Sequence, residues 1–569
     1  MQPLSSVVRM QNLSDLGSHH FDVLVIGGGV TGAGVALDAV ARGYKVALVE
    51  KADFASGTSS KSTKLVHGGI RYLPSFDFAL VQEGLVERGI LLRNAPFLVH
   101  QVGFVLPIYR GDRHPVGLPF TTPGGVGIGL LLDAGLWTYD VMAGTQNGYH
   151  HRRLSRAQVM KLAPALKTEG LREGFMYYDG QTNDARLTIT LLRTAAQHGA
   201  TITNYTEVSS FLMDSGKVRA AYVRDTLNGQ QILIHARHIV NATGVFAEQV
   251  ETLTGIEAQV QIEPSKGVHL VLPREKLKLG DEVIVLPETE DKRILFIAPW
   301  QARAILGTTD TGAGDLDHPI ADQQDIAYLL QYLNRYLAVQ LTEDDIISVY
   351  AGYRPLLKSR SAHKSTAQLS RTHAVLQHPS GLVSIVGGKL TTYRRMAQDT
   401  VDVLSRRDEA AVTHPTQLMP LQGSAGWVVA KKALQERGSI LGLSERSIEH
   451  LGRSYGTEAN KLLDFIEKDA SLGELLIADL PYVWAEVVYA CRYEMAMTPY
   501  DVLARRTSIV LEDWQRGLGI VDEVAAMMAV EQQWSPAQQQ AMVQAYRHAV
   551  QGELIMEAGY QERDENRSV

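Results

Sequence analysis

The feature that most constrains the fold is a glycine-rich turn between two apolar runs, in the stretch FDVLVIGGGVTGAGVALDAVARGYKVALVEK that begins at Phe21. The run from Val23 to Ile26 predicts a buried parallel strand, and G-x-G-x-x-G follows it directly. Apolar residues then recur at helical spacing up to Val40, and a second apolar run predicts a strand that ends at Glu50. Such a strand–helix–strand unit is typical of the start of a Rossmann-like α/β domain.

Three glycines of this turn have separate expected tasks. Gly27 allows the tight turn, Gly29 lets the backbone approach a pyrophosphate, and Gly32 lets the helix lie close to the strand. The helix N-terminus offers free N–H groups and a partial positive charge to the phosphates. Glu50 stands where an acidic residue binds a ribose hydroxyl, which disfavours a 2′-phosphate and hence NADP. The unit predicts dinucleotide binding, and a purely structural glycine turn is the alternative.

Length and composition bound the class of protein. A chain of 569 residues suggests roughly three or four domains. The net charge of −7 argues against nucleic acid as a main partner. The single cysteine, Cys491, excludes an intramolecular disulfide and a four-cysteine metal site, and no His, Cys, Asp or Glu spacing indicates a catalytic metal. We find no signal peptide and no apolar stretch long enough to span a bilayer, so a cytoplasmic protein is expected.

The stretch that follows Glu50, DFASGTSSKSTKLVHGGIRYL, holds too many Ser, Thr and Gly residues for a regular element. It also carries four cationic or ionisable side chains: Lys61, Lys64, His67 and Arg71. A solvated loop is the simplest interpretation. A long irregular segment inside a compact α/β unit is, however, usually functional.

Here the sequence resembles the FAD-dependent glycerol-3-phosphate dehydrogenase family, the aerobic respiratory enzymes, whose pattern T-S-S-x-S-S-K-L-x-H-G-G-x-R-Y-L matches TSSKSTKLVHGGIRYL with Thr63 in place of a serine. The resemblance runs in family order from about residue 20 to about 510. Three positions depart from the pattern: Val268 and Ala351 replace serines, and Thr372 stands where an acidic residue is common. The further matching segments are YDGQTNDARL, IVNATGVFAEQV, SKGVHLVLP, ILGTTDT, YAGYRPLL, LSRTHAV, IVGGKLTTYRRMA and EVVYACRYEMAMTPYDVLARRTSI.

The resemblance implies an α/β + α architecture with a discontinuous FAD-binding domain and an antiparallel-sheet substrate-binding domain. From about residue 420 the composition itself turns helical, and Ser535-Pro536-Ala537-Gln538 predicts the start of a helix. The expected boundaries are a flexible tail over 1–20, an FAD domain over 21–105, 181–255 and 378–410, a substrate domain over 106–180 and 256–377, and a helical domain over 420–560.

The activity that the resemblance implies is the oxidation of sn-glycerol 3-phosphate to dihydroxyacetone phosphate, with hydride transfer from C2 to flavin N5. The family motifs place Arg71, Arg371 and Lys389 as the phosphate clamp, with Arg371 the weakest of the three beside Thr372. Arg354 is expected to stabilise negative charge on the substrate oxygen. His67 is the first candidate for proton acceptor and His269 the second, with orientation of flavin or backbone as the alternative role.

FAD is expected to be held non-covalently. The residues assigned to it are Gly27, Gly29, Gly32, Glu50, Thr58, Ser59, Ser60, Lys64, Leu65, Thr243, Gly244, Gly388, Leu390 and Thr391.

The electron acceptor implied by the resemblance is a membrane quinone, although some relatives use oxygen and release hydrogen peroxide. The segment Pro119–Met142 is apolar, carries Asp133 and is too short to span a bilayer. We expect it at the membrane surface with Trp137 and Tyr139 at the headgroups, or as a buried helix. The resulting expectation is a peripheral protein on the inner face of the cytoplasmic membrane, with a homodimer as a possible assembly.

Three alternatives stay open at this point. The first is the oxygen-using glycerol-3-phosphate oxidase. The second is a flavoprotein that oxidises an amine or amino acid, which the set of Arg and Lys side chains disfavours. The third is an inactive FAD-bound protein that acts at a membrane surface.

Overall fold

The computed structural model describes residues 3–75, 77–111, 128–144, 148–287, 289, 293–358 and 372–558, with side chains described for all of these but 71, 74, 75 and 552–558. Within them the chain forms two large sheets, helices that cover the sheets, and a C-terminal helical part. The predicted fold class, with its discontinuous Rossmann-like unit, is confirmed.

The first sheet contains the predicted opening unit. Its eight strands, numbered along the chain, are β1 (His20–Ile26), β2 (Val46–Val49), β7 (Thr201–Thr203), β8 (Thr206–Asp214), β9 (Lys217–Asp225), β10 (Gln231–Asn241), β17 (Ala374–Gln377) and β18 (Val383–Val386). A parallel core runs in the order β18-β10-β1-β2-β7, while β17 pairs antiparallel with β18 and the β8–β9 hairpin joins β10. The residues of the core strands are mostly buried, because helices or other strands cover both faces of the sheet.

Helices cover both faces of this sheet. Those associated with it are α1 (Ser6–Ser18), α2 (Val30–Ala41), α6 (Asp184–Gln197), α7 (Ala247–Thr252) and α9 (Tyr393–Arg407). Helices α2, α6 and α9 pack together against one face, and α1 packs against the other through Leu13 and Leu16. Because α2 is surrounded, most of its side chains are buried.

The second sheet is largely antiparallel and has ten strands. These are β3 (Leu65–Val66), β4 (His100–Tyr109), β5 (Arg152–Ser155), β6 (Leu171–Gln181), β11 (Ile262–Pro273), β12 (Val283–Val285), β13 (Phe296–Trp300), β14 (Arg303–Gly307), β15 (Thr311–Gly312) and β16 (Ser348–Leu357). The main path is β15-β11-β14-β13-β12-β4-β6-β3, with β16 on β11 and β5 on β6. Helices α3 (Phe78–Asn94), α4 (Ile128–Ala143), α5 (Arg156–Leu162) and α8 (Gln323–Tyr336) accompany it.

The C-terminal part is helical. Its helices are α10 (Trp427–Ile440), α11 (Glu445–Tyr455), α12 (Ala459–Lys468), α13 (Ala485–Tyr493), α14 (Pro499–Asp501), α15 (Ile509–Glu512), α16 (Val521–Gln532) and α17 (Pro536–Ala558). The described part of the chain holds no helix that is long and apolar enough to cross a lipid bilayer. Among those same residues, no three His, Cys, Asp or Glu side chains gather as a metal site requires.

Two expected boundaries do not match the structure. The flexible tail over 1–20 is wrong, because residues 6–18 form α1, which Ser5 caps and which Arg9 ties to Asp225 through a buried ion pair of 2.7 Å. The boundary near residue 105 is also displaced, because β3 and most of β4 precede it and yet belong to the second sheet. Both errors arise from long-range contacts that local composition does not reveal.

Candidate cofactor and substrate site

The glycine turn after β1 has the close approaches that the motif predicts. Gly27 has φ +111°, and a Cβ there would lie 2.7 Å from the carbonyl oxygen of Ala242. A Cβ on Gly32 would overlap the carbonyl oxygen of Gly27. Gly29 caps α2 and faces Ser59, whose hydroxyl accepts from the Val30 N–H at 2.9 Å. The glycines therefore let the backbone of the turn and the N-terminus of α2 lie close together, with no side chain between them.

Glu50 lies at the carboxyl end of β2, where the sequence placed it. Its carboxylate accepts from the Gly28 N–H at 2.6 Å and from the Ala52 N–H at 3.0 Å. Burial raises its pKa above the ordinary value, and the two backbone donors oppose that shift. These contacts hold the carboxylate at the edge of a cavity beside the glycine turn.

Two adjoining cavities lie between the sheets. The first, of about 490 Å³, extends from the glycine turn and Glu50, past Thr243 and Gly244, to the turn after β18. The second, of about 240 Å³, lies between that turn and the second sheet. The residues that line both are Thr58, Pro355, Gly388, Lys389 and Leu390.

This arrangement fits FAD. The glycine turn with the N-terminus of α2 suits the pyrophosphate, and Glu50 suits the ribose. Because the two cavities share lining residues, a dinucleotide held in the first would reach the second. At the junction Gly388 has φ +80°, and a Cβ there would collide with Met396. The junction therefore requires glycine.

Arg354 forms part of the polar wall of the second cavity. It lies on β16 opposite Ser265 of β11, and its guanidinium donates to Thr308 Oγ1 at 3.0 Å and to the Thr309 carbonyl at 3.1 Å. A Cβ on Gly267 would collide with the guanidinium, so the adjacent strand leaves space for it. Asp310 Oδ1 lies 3.9 Å from Arg354 Nη1. Several partners, rather than one ion pair, therefore position the arginine.

His269 faces the same cavity from β11 but is almost completely buried. Its ring stacks on Tyr350 with centroids 4.8 Å apart, and Nε2 lies 2.8 Å from Thr63 Oγ1. Burial, and then the charges of Arg354 and Lys64, hold its pKa well below the ordinary value. The imidazole is therefore neutral and a weak proton acceptor, which favours an orienting role.

His67 and Lys389 also line the second cavity. The His67 N–H donates to Thr391 Oγ1 at 3.1 Å, and the Thr391 hydroxyl in turn contacts the His67 carbonyl at 3.3 Å. Lys389 Nζ lies 4.2 Å from the ring centroid of Tyr72. The structure thus gathers His67, His269, Arg354 and Lys389 around one cavity, whereas Arg371 and the side chain of Arg71 lie outside the described residues.

Several residues assigned to the cofactor have other contacts. Lys64 lines neither cavity, because its ammonium is buried against Asp184 at 2.6 Å and the Ser60 carbonyl at 3.2 Å. Ser60 is buried and likewise lines neither cavity. Leu65 and Thr391 line the second cavity, and the Thr391 hydroxyl is engaged by the backbone of His67. The Lys64 ammonium therefore stabilises the loop itself, through the Ser60 carbonyl and Asp184.

Sequence reasoning also missed part of the lining. In the first cavity the missed residues are Thr206, Glu207, Val208, Ser209, Phe246 and Gln249. In the second they include Phe104, Tyr177, Asp179 and Phe296. Most of them lie on strands without a local motif, and only the pairing of β4, β6 and β13 into one sheet brings the second group together.

Comparisons with known proteins agree with an FAD-dependent protein. A family model described as FAD dependent oxidoreductase matches residues 22–394, and one described as the C-terminal domain of alpha-glycerophosphate oxidase matches residues 414–539. Glycerol-3-phosphate dehydrogenase 2 of Mycobacterium tuberculosis is 39% identical over 547 residues, which cover 95% of this chain and 90% of that protein. The human mitochondrial glycerol-3-phosphate dehydrogenase is 35% identical, with 99% and 76% covered.

The same relationship holds in three dimensions. The crystal structure of a glycerol-3-phosphate dehydrogenase from Bacillus halodurans, complexed with FAD, matches with a TM-score of 0.78 and 28% identity, covering 97% of this chain and 98% of that one. Sequence similarity and fold thus agree over nearly the whole chain. The protein belongs to the glycerol-3-phosphate dehydrogenase family of FAD-dependent oxidoreductases.

Proposed function

We propose that the protein oxidises sn-glycerol 3-phosphate to dihydroxyacetone phosphate with FAD as cofactor and passes the electrons to a membrane quinone. The observation that carries the substrate assignment is the wall of the second cavity, where Lys389 and Arg354 face the space that adjoins the cofactor cavity. An amino acid would instead need a site for its ammonium group as well as for its carboxylate. The names of the relatives support the same substrate.

In this proposal Lys389 binds the phosphate, together with Arg71 and Arg371 as the family pattern suggests. A lysine ammonium provides a compact charge, and an arginine provides a planar fork for two phosphate oxygens. Lys389 is well placed because it lines both cavities and so lies at the junction between cofactor and substrate.

The reaction removes a hydride from C2 and a proton from the C2 hydroxyl. FAD, when bound, supplies the ring that accepts the hydride. Arg354 stabilises negative charge on the C2 oxygen as the proton leaves, since its guanidinium is already fixed by Thr308 and Thr309. His67 takes the proton, because the neighbouring candidate His269 is held neutral by burial and has a pKa well below the ordinary value.

The test is anaerobic mixing of the holoenzyme with glycerol 3-phosphate while the visible absorbance of the flavin is followed. We expect rapid bleaching, and about a 100-fold lower limiting rate for Arg354→Lys, because lysine cannot reproduce the several hydrogen bonds that aim the charge. Arg274→Lys is the matched control, since Arg274 directly follows β11 and its guanidinium is likewise fixed by several hydrogen bonds, in this case to three backbone carbonyls away from the cavity. Equal rates for both variants would contradict the role of Arg354, and no bleaching of the wild type would reject the substrate.

The electron acceptor is tested by reoxidising the reduced flavin at the end of the same experiment. Reoxidation by a quinone analogue but not by air supports the dehydrogenase, and rapid reoxidation by air with release of peroxide would instead assign the oxidase.

FAD is proposed to be non-covalent. Cys491 is buried in the helical part, where burial raises its pKa to about 12, so its thiol is unsuited to forming a flavin bond.

We also propose that the protein binds the inner face of the cytoplasmic membrane through α4. The exposed side of this helix carries Leu130, Leu131, Trp137 and Val141, with exposed fractions of 72%, 41%, 56% and 75%. A row of large apolar side chains on one face of a surface helix suits the interface of a lipid bilayer. A homodimer that covers this face is the competing occupant.

A further inference from the structure

We infer that Asp179 is a positioning residue that fixes the His67–Gly69 loop at the substrate cavity, and that Arg88 and Tyr139 hold Asp179 in place. The inference rests on the proposed function, because it concerns the cavity assigned to glycerol 3-phosphate. It adds Arg88 of α3 and Tyr139 of α4, which no family segment quoted above contains, and it gives a role to Asp179, which stands in the segment YDGQTNDARL.

The contacts of Asp179 carry the argument. Its side chain is buried on β6 at the wall of the second cavity. It accepts from the Gly68 N–H at 3.1 Å, from the Tyr139 hydroxyl at 2.8 and 3.0 Å, and from Arg88 through a close ion pair. Arg88 also donates to the Tyr178 carbonyl at 2.9 Å. Three donors from three different elements thus meet at one carboxylate.

The loop is fixed from its other side as well. Leu65 and Val66 pair with Gln181 and Gly180 of β6, so the chain approaches the loop in register with the strand that carries Asp179. The next residue, His67, has its N–H and carbonyl engaged by the Thr391 hydroxyl. The Gly68 N–H then binds Asp179. The backbone is therefore held residue by residue up to the point where it faces the cavity.

Packing leaves the loop no alternative position. A Cβ on Gly68 would collide with the Tyr139 hydroxyl and with Leu85, so Tyr139 lies directly against the glycine. Burial raises the pKa of the Asp179 carboxyl, and Arg88 and Tyr139 oppose that shift. A buried ion pair usually adds little net stability compared with an apolar replacement, so a role beyond packing accounts better for this one.

The same contacts distinguish positioning from catalysis. The described donors to Asp179 occupy both of its oxygens: Tyr139 contacts both, and Gly68 and Arg88 contact Oδ1. A carboxylate engaged in this way is unsuited to taking the substrate proton. It acts instead through the backbone of Gly68, which sets the position of the adjacent His67.

Tyr139→Phe tests the inference, because it removes one hydroxyl and leaves the Arg88–Asp179 pair intact. Tyr455→Phe is the matched control, since Tyr455 is equally buried and donates to the Glu486 carboxylate at 3.0 Å in the helical part. For each holoenzyme we would measure the flavin absorbance spectrum without substrate, the melting temperature, and the limiting rate and apparent Kd of anaerobic flavin reduction.

We expect Tyr139→Phe to shift the flavin spectrum and to lower the limiting rate about ten-fold, with the apparent Kd nearly unchanged, because a misplaced loop affects the transition state more than ground-state binding. Tyr455→Phe should lower only the melting temperature. A Tyr139→Phe enzyme with the wild-type spectrum and rate would overturn the inference, whatever its melting temperature.

Failure of the proposed function is recognised separately. If glycerol 3-phosphate does not bleach the wild type, the substrate is wrong, and the substrate-free spectra of the two variants alone decide whether Tyr139 positions the loop.

Asp179→Asn is the more severe variant, because it leaves Arg88 buried without its carboxylate. Its effect on folding is read from the melting temperature before any rate is compared.

Discussion

At the residue scale, the glycine turn is the part of the molecule that the sequence predicts best. The roles assigned to Gly27, Gly29 and Gly32 depend on local backbone geometry, and the structure has the close approaches that those roles require. Glu50 could be located from the strand that it terminates. The contacts of Lys64 and Asp179 could not be predicted, because their partners Asp184 and Gly68 lie more than a hundred residues away in the chain.

Gly32→Ala should abolish FAD binding. The added methyl group would overlap the Gly27 carbonyl and push α2 away from the turn that receives the pyrophosphate. The flavin content of the purified protein measures the effect. Gly135→Ala is the control, since it is also a helix-interior glycine but has no atom within 4 Å of the added Cβ. Gly32→Ala protein that retains a full complement of FAD would refute the packing role.

At the scale of elements, α4 shows what periodicity can and cannot decide. The sequence left a membrane-surface helix and a buried helix open, and the structure shows one face of α4 buried and the other face exposed. Trp137 is exposed as expected, but placement of Tyr139 at the headgroups is wrong, because its ring is fully buried and its hydroxyl binds Asp179. Residues 119–127 of the predicted segment lie outside the described residues.

Local signals did locate the start of α17. Ser535 and Gln538 exchange the reciprocal contacts of a capping box, with the Gln538 N–H donating to Ser535 Oγ at 3.3 Å and the Ser535 N–H donating to the Gln538 side chain at 2.8 Å. The helix begins at Pro536, as its sequence predicts. A cap involves residues three apart and so can be predicted from sequence, whereas the face that a helix buries depends on the whole fold.

Trp137→Gln should weaken binding to vesicles that contain anionic lipids by several-fold, because it removes the largest apolar side chain from the exposed face of α4. Co-flotation of the holoenzyme with vesicles measures the change. Trp514→Gln is the matched control, as Trp514 is similarly exposed at 50% but lies in the helical part. Unchanged flotation together with a shift from dimer to monomer would show that α4 is covered by a second copy instead.

At the scale of the whole molecule, the domains are joined by buried charges that local sequence patterns do not reveal. Asp53, just after the glycine unit, binds Arg505 and Arg506 of the helical part. Burial alone would raise its pKa, but the two arginines lower it to about 2. Its contribution to stability is therefore present above pH 3.8 and is lost as the pH falls towards 2. The pairing of Asp53 with the two arginines becomes evident only when the fold brings them together.

The pKa of Glu512 is shifted in the opposite direction. This residue lies at a contact between the helical part and the second sheet. It belongs to α15, and its carboxylate accepts from Trp300 Nε1 of the second sheet at 3.1 Å and from the Tyr482 hydroxyl at 2.6 Å. Burial raises its pKa to about 7, although Tyr482, Arg303 and His450 oppose the shift. The folded state therefore retains a proton that the unfolded chain releases above its ordinary pKa of 4.5.

Glu512→Gln should remove this pH dependence, because the amide imitates the protonated acid and does not titrate. The wild type should lose stability relative to the variant as the pH rises from 4.5 to 7, by at most about 3 kcal/mol, with no further relative loss above pH 7. Melting temperatures of the two holoenzymes across this range measure the effect, with the exposed Glu523→Gln as control. Parallel curves for wild type and Glu512→Gln would show that Glu512 is ionised throughout, and that the contact between α15 and the second sheet tolerates a buried charge.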